Sequence, residues 1–194
     1  MKRFSIFLSL FLSILWLGGC GGTTGGSQGS GDYERSQNYN NGAIALWDYL
    51  VPASDTTNSY IKTNGKTSQT YRTRYTREAN RVTEVSNLSE NEKTIYTKNA
   101  NDITISFYTD GAENGRLELK PTVDIGERVT IKKSDCRLAK VWDTFHYQNR
   151  DFKDVIEIRC GNTPGYYQRG VGEIAQEQKI SEKGTVETKY LAGH

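Results

Sequence analysis

Tyr71-Arg72-Thr73-Arg74-Tyr75 and Ile103-Thr104-Ile105-Ser106-Phe107-Tyr108 each alternate between two kinds of side chain. In the first, Tyr71, Thr73 and Tyr75 fall on one side, and Arg72 and Arg74 on the other. In the second, Ile103, Ile105 and Phe107 oppose Thr104, Ser106 and Tyr108. Successive side chains of an extended chain point to opposite faces. A period of 2 therefore marks a strand with one face in a core and one in water. The same period places Ile156, Ile158 and Cys160 against Glu157 and Arg159, and Val186, Thr188 and Tyr190 against Glu187 and Lys189.

Turn signals separate these runs. Asn64-Gly65 reads as a hairpin turn, because both central positions of a type I′ turn need positive φ. Asp110-Gly111 and Asn114-Gly115 bracket a short loop. Gly161-Asn162-Thr163-Pro164-Gly165 and Lys183-Gly184 mark two further turns. The spacing predicts an all-β domain, an antiparallel meander of about nine or ten strands forming a barrel, half-barrel or sandwich. The 12 Tyr and many Thr agree with this. Ala43-Ile44-Ala45-Leu46-Trp47-Asp48-Tyr49-Leu50 reads as one short helix stopped by Pro52 or as a buried strand, with Ile44, Leu46, Trp47 and Leu50 in the core. Ser89-Glu90-Asn91-Glu92 has the form of a capping box, but the residues after it keep no helical period and read as a loop entering a strand.

The N-terminus has a different chemistry. Lys2 and Arg3 precede an apolar run over residues 4–17, and Gly18 and Gly19 precede Cys20. Charged, apolar and small-residue regions in that order form a secretory signal. A membrane-spanning helix needs roughly 20 apolar residues, more than this run supplies. Leu17-Gly18-Gly19-Cys20 resembles the lipid-attachment signal of bacterial lipoproteins: Leu, two small residues and Cys. The resemblance implies a diacylglycerol thioether on Cys20, cleavage after Gly19 and acylation of the new amine, for example by palmitate. Gly21 stands where an Asp would imply retention in the inner membrane of a two-membrane host. The implied address is the outer membrane of such a cell, and the implied partner is the lipid bilayer. An ordinary signal peptide with a chance Cys is the alternative.

The domains follow: residues 1–19 as cleaved signal, 20–41 as lipidated Cys and flexible tether, and 42–194 as one β domain. Residues 21–31 are almost entirely Gly, Ser and Thr. A flexible coil of that length reaches about 18 Å. Cleavage removes Lys2 and Arg3, so 25 basic residues become 23, matching the 23 acidic ones. A neutral chain without a basic stripe points away from nucleic acid. With Cys20 acylated, Cys136 and Cys160 remain, and an even pair in an exported protein reads as a disulfide, free buried thiols being the alternative.

Tyr166-Tyr167-Gln168-Arg169-Gly170-Val171-Gly172-Glu173-Ile174 resembles a segment near the C-terminus of exported all-β lipoproteins. It implies closing strands at about 166–177 and 185–191, with Gly170 and Gly172 at a bend or bulge.

No catalytic, metal or cofactor motif is found. His194 is terminal. His146 follows Asp143 but lacks a nucleophile motif. Asp110, Glu113 and Asn114 carry oxygen ligands without EF-hand spacing. Asn87-Leu88-Ser89 fits a glycan acceptor, which a bacterial address makes irrelevant. Tyr60, Tyr71, Tyr75, Tyr96, Tyr108, Tyr166 and Tyr167 read either as a glycan- or lipid-binding face or as packing in and beside the sheet. The expectation is a non-enzymatic envelope lipoprotein that binds a partner protein or hydrophobic ligand. An enzyme acting on envelope polymers through His146 and a structural or assembly lipoprotein without a pocket are the alternatives.

Overall fold

The computed structural model describes residues 43–131, 135–179 and 186–192. Cys20, the tether, Lys183-Gly184 and His194 lie outside them. The chain enters through β1 (Ile44–Ala45) and one helical turn, α1 (Trp47–Leu50). Val51 is extended at φ −135° and ψ 150°, the conformation favoured before a proline, and Pro52 follows. Six strands then run up and down: β2 (Thr56–Thr63), β3 (Ser68–Glu78), β4 (Arg81–Ser86), β5 (Glu92–Lys98), β6 (Ile103–Thr109) and β7 (Ala112–Leu119). The short β8 (Thr122–Val123) pairs with β1. A second meander follows: β9 (Cys136–Tyr147), β10 (Arg150–Cys160), β11 (Thr163–Gln168), β12 (Gly172–Lys179) and β13 (Val186–Leu191).

The protein is all-β. Eleven strands form one antiparallel sheet in the order β7-β6-β5-β4-β3-β2-β13-β12-β11-β10-β9. Every neighbour is sequential except β2 and β13, whose pairing joins the two meanders. The main sheet alone thus exceeds the nine or ten strands expected from the turns.

The turns explain the difference. Asp110-Gly111 is a two-residue hairpin with φ of 52° and 81°. Asn114-Gly115 lies inside β7 instead of in a loop, and Gly115 faces Phe107 so closely that a Cβ would sit 3.3 Å from the ring. At Asn64-Gly65 only Gly65 has positive φ, because Asn64 Oδ1 accepts the N–H groups of Lys66 and Thr67 and makes a longer turn. The 161–165 stretch turns only at Gly161-Asn162, and Thr163 already begins β11. Two of the two-residue hairpins lack glycine: Ala79 has φ 41°, and Gln148 and Asn149 have φ 50° and 61°. The segment expected as one strand over about 166–177 breaks at residues 169–171, between β11 and β12. Gly170 and Gly172 have φ of 73° and 90° there, and a register shift follows Tyr166.

The sheet curls around its own N-terminal segment. Ile44, Leu46, Trp47, Tyr49, Leu50 and Val51 belong to one buried cluster with residues of both sheet edges, Leu119 of β7 and Leu138 of β9. The edges do not pair with each other. Residues 126–131 bridge them instead: Ile131 N–H donates to Glu118 O, and Lys120 N–H to Val129 O. On the other side, Val129 N–H donates to Cys136 O, and Leu138 N–H to Glu127 O. A second cluster contains Trp142, Phe145, Tyr147, Phe152 and Tyr166, and Phe145 stacks on Tyr166 at 4.5 Å between centroids.

Two burial patterns depart from the alternation. Val155, Ile156, Glu157 and Ile158 are all buried, so both faces of β10 are covered there. Buried Glu157 is held by Arg159, whose Nε donates to it at 2.7 Å. In β13 the buried residues are Lys189 and Leu191, and Val186, Thr188 and Tyr190 are only half-buried.

Cys136 and Cys160 are directly opposed on β9 and β10 and form a disulfide. Cys136 is buried, and its carbonyl is one of the seam acceptors. The bridge closes a sequence separation of 24. Chain-entropy reasoning gives about 3.5 kcal/mol for such a loop. Chemical denaturation of a Cys136→Ser/Cys160→Ser variant should show a loss of that order. Unchanged stability would mean that the crosslink does not constrain the unfolded chain.

Candidate functional site

Two features concentrate polar chemistry: a network inside the curled sheet and a groove on its outer face. The inner network follows from the β2–β13 pairing. Tyr60 opposes Leu191 and Lys62 opposes Lys189, so Lys189 shares the inward face with Tyr60 and, across β3, with Tyr71. Lys189 Nζ pairs with Glu173 Oε2 at 2.8 Å and lies 4.6 Å from the Tyr60 ring centroid. Tyr60 donates to the Glu173 carbonyl at 2.9 Å, so Tyr75 is the donor in their 3.3 Å hydroxyl contact. On the next strands Tyr96 donates to Glu84 Oε2 at 2.6 Å.

Burial and charge set the protonation of this network. Desolvation raises the Glu84 carboxyl above its ordinary range, against the pull of Lys189. Desolvation alone would lower Lys189, but Glu173 and the surrounding tyrosines outweigh it and hold the ammonium well above its usual value. Burial raises the phenols of Tyr60, Tyr75 and Tyr96, which keeps them neutral donors. Glu173 Oε1 is buried without a hydrogen-bond partner. The space reaching Lys189 and Tyr71 from the rim, where Lys62 pairs with Glu187 at 2.8 Å, is about 20 Å³. That is room for one water molecule.

The outer groove spans β4 to β7 and has a volume of about 450 Å³. Its floor contains Ile95 and Ser106, opposed in the β5–β6 ladder and both buried although they face outward. Arg81, Tyr108 and Arg116 surround them, so short side chains between long ones make the depression. Asn99 Nδ2 donates to Asp102 at 2.6 Å and to Thr104 at 3.1 Å, and Asn80 Nδ2 donates to Lys98 O. These bonds fix the groove's end.

The residues singled out in the sequence are dispersed. His146 sits on β9, half exposed, and its Nδ1 meets Asp151 of β10 at 2.8 Å. Its register partner is thus Asp151, and the preceding Asp143 does not supply the contact. Glu113 is gripped by Arg116 through Nε and Nη2 at 2.8 and 3.0 Å, and Asn114 donates to Thr109. Their polar atoms serve the β6–β7 hairpin. Of the seven tyrosines, Tyr60, Tyr71, Tyr75 and Tyr166 are buried, and Tyr96 and Tyr167 pack against the core. Tyr108 alone of these lines the outer groove. Sequence reading missed Lys189, Glu173 and Glu84. Nothing in the sequence separates them from exposed charges on alternating strands: Glu84 and Glu173 oppose Tyr75 and Tyr167 only once register is set, and Lys189 opposes Lys62 and Gln176.

Removing one member of a buried ion pair leaves the other charged and desolvated, which costs about 3–5 kcal/mol. Lys189→Met should cost that much in denaturant unfolding, and Lys189→Met with Glu173→Leu should recover most of it. No recovery would mean that the pair is not coupled. Glu84 titrates in the opposite sense to a salt-bridged acid. Its folded carboxyl is raised, so its contribution is full below the unfolded value and fades as pH rises through the folded one. Glu84→Gln should therefore flatten the stability–pH curve on the side just above the ordinary carboxylate range. An unchanged curve would place the titration elsewhere.

Comparison of the sequence with protein-family models and with curated proteins returned no match.

Proposed function

We propose that this chain is a lipid-anchored lipoprotein of the bacterial envelope whose β domain is a non-enzymatic binding module for a partner protein. The observation that carries the reading is Leu17-Gly18-Gly19-Cys20 behind a short apolar run, followed directly by a Gly- and Ser-rich stretch. A thioether-linked diacylglycerol contributes about 0.8 kcal/mol per buried CH₂, and two or more chains make attachment stable. The tether gives the domain about 18 Å of freedom above the headgroups.

The filled interior favours a protein over a hydrophobic ligand as the partner. Tyr75, Val82, Ile103 and Ile105 share one buried cluster with α1, Tyr60 fills the second cluster, and the space beside Lys189 is about 20 Å³. An acyl chain needs a cleft on the order of several hundred Å³. The domain then works through its outer surface. The reading needs no cofactor.

Cys20→Ser should move the protein from the membrane pellet to the soluble fraction. Retention of the variant in the pellet after a high-salt wash would sink the anchor.

A further inference from the structure

We propose that the outer groove over β4–β7 is a binding site for a neutral oligosaccharide. This goes beyond the anchor and does not depend on it.

The registers of β3 to β7 lay three outward rows side by side. Arg74, Val85, Lys93, Tyr108 and Glu113 form one, and Thr76, Thr83, Ile95, Ser106 and Arg116 the next. Glu78, Arg81, Thr97, Thr104 and Glu118 form the third. Four cations and three carboxylates share these fifteen positions. Such a balance gives no field to hold a polyanion. A groove of about 450 Å³ has the volume of a small-ligand site but lies open to solvent, and its walls are mostly polar. An apolar ligand would strand those groups without partners.

A sugar fits both constraints. Its ring has a C–H face and a rim of hydroxyls that donate and accept. The groove offers the half-buried Tyr108 ring, with Lys93 Nζ 5.2 Å from its centroid, for the first, and Thr97 and Arg81 for the second, over a floor closed by buried Ile95 and Ser106. Arg81 makes no ion pair among the described residues, although Glu78 is its register partner, so its planar fork of donors is available. The Asn99–Asp102–Thr104 bonds hold the end of the groove before any ligand arrives. Preorganisation of this kind lowers the ordering cost of binding.

The test uses the full-length protein in detergent, titrated with neutral tetrasaccharides of glucose and of N-acetylglucosamine and followed by amide NMR shifts. At least one sugar should shift the amides of Thr97, Thr104 and Ser106 with a Kd of about 1 mM or tighter. Arg81→Ala should weaken it about tenfold, the loss of one hydrogen bond to a charged group. Arg81→Lys should recover part of the affinity, and Tyr108→Ala should also weaken binding. Arg81 is exposed, so its variants should melt with the parent. Absence of shifts at that concentration, shifts confined to another face, or affinity untouched by Arg81→Ala would overturn the site. Equal binding of a uronate tetramer that vanishes in salt would also overturn it, because that is the behaviour of a charge patch.

Discussion

The pairing of β2 with β13 is the constraint on which the rest depends. Among the described strands it is the single non-sequential pairing in the main sheet, and without it the two meanders share backbone bonds only through the 126–131 seam and the entering segment. It places Lys189 beside Tyr60, while Glu173 reaches the same ammonium from β12 on the other side of β13, so a charged pair is enclosed where the two halves meet. An enclosed ion pair adds little net stability compared with an apolar pair of similar size, but it penalises misalignment heavily. A slip of one residue in β13 would turn Lys189 outward and leave Glu173 buried alone. The polar network therefore fixes register at the junction, while the two apolar clusters on either side supply most of the burial.

Much of the strand pattern was legible because antiparallel strands with one wet face must alternate. Tyr71-Thr73-Tyr75 and Ile103-Ile105 turn inward as their period requires. The Ile44, Leu46, Trp47 and Leu50 side chains were recognisable as core from density of apolar residues alone. The alternation misled where polarity and burial part company. Lys189 and Glu157 are buried because each has a partner, Glu173 for Lys189 and, for Glu157, the exposed Arg159 two residues on. Val155–Ile158 lost its period because the aromatic cluster covers the second face of β10. Turns were over-read at glycine and under-read without it. Asn114-Gly115 needed no turn once Asp110-Gly111 had reversed the chain, whereas Gln148-Asn149 turned without any glycine.

The outer groove was illegible for another reason. Its residues come from four strands and two turns, and only register sets Arg81, Thr97 and Thr104, or Ile95, Ser106 and Arg116, side by side. Such a surface exists only after register is set. The disulfide was readable from cysteine parity, but its position was not: it lies at the seam where residues 126–131 join the two sheet edges.

The turn at Gly170–Gly172 has a mechanical consequence. Gly170 N–H donates to the Asp48 carbonyl and Ala53 N–H donates to the Gly170 carbonyl, so the entering segment is sewn by its backbone to the β11–β12 corner. Gly172, whose φ of 90° a side chain would strain, lies against Pro52, with Cδ 3.4 Å from where a Cβ would stand. A pull on the chain ahead of residue 43 does not peel an outer strand. It loads the short β1–β8 pair first, and behind it the buried Leu46 and Trp47 and these bonds, so the force passes directly into the core.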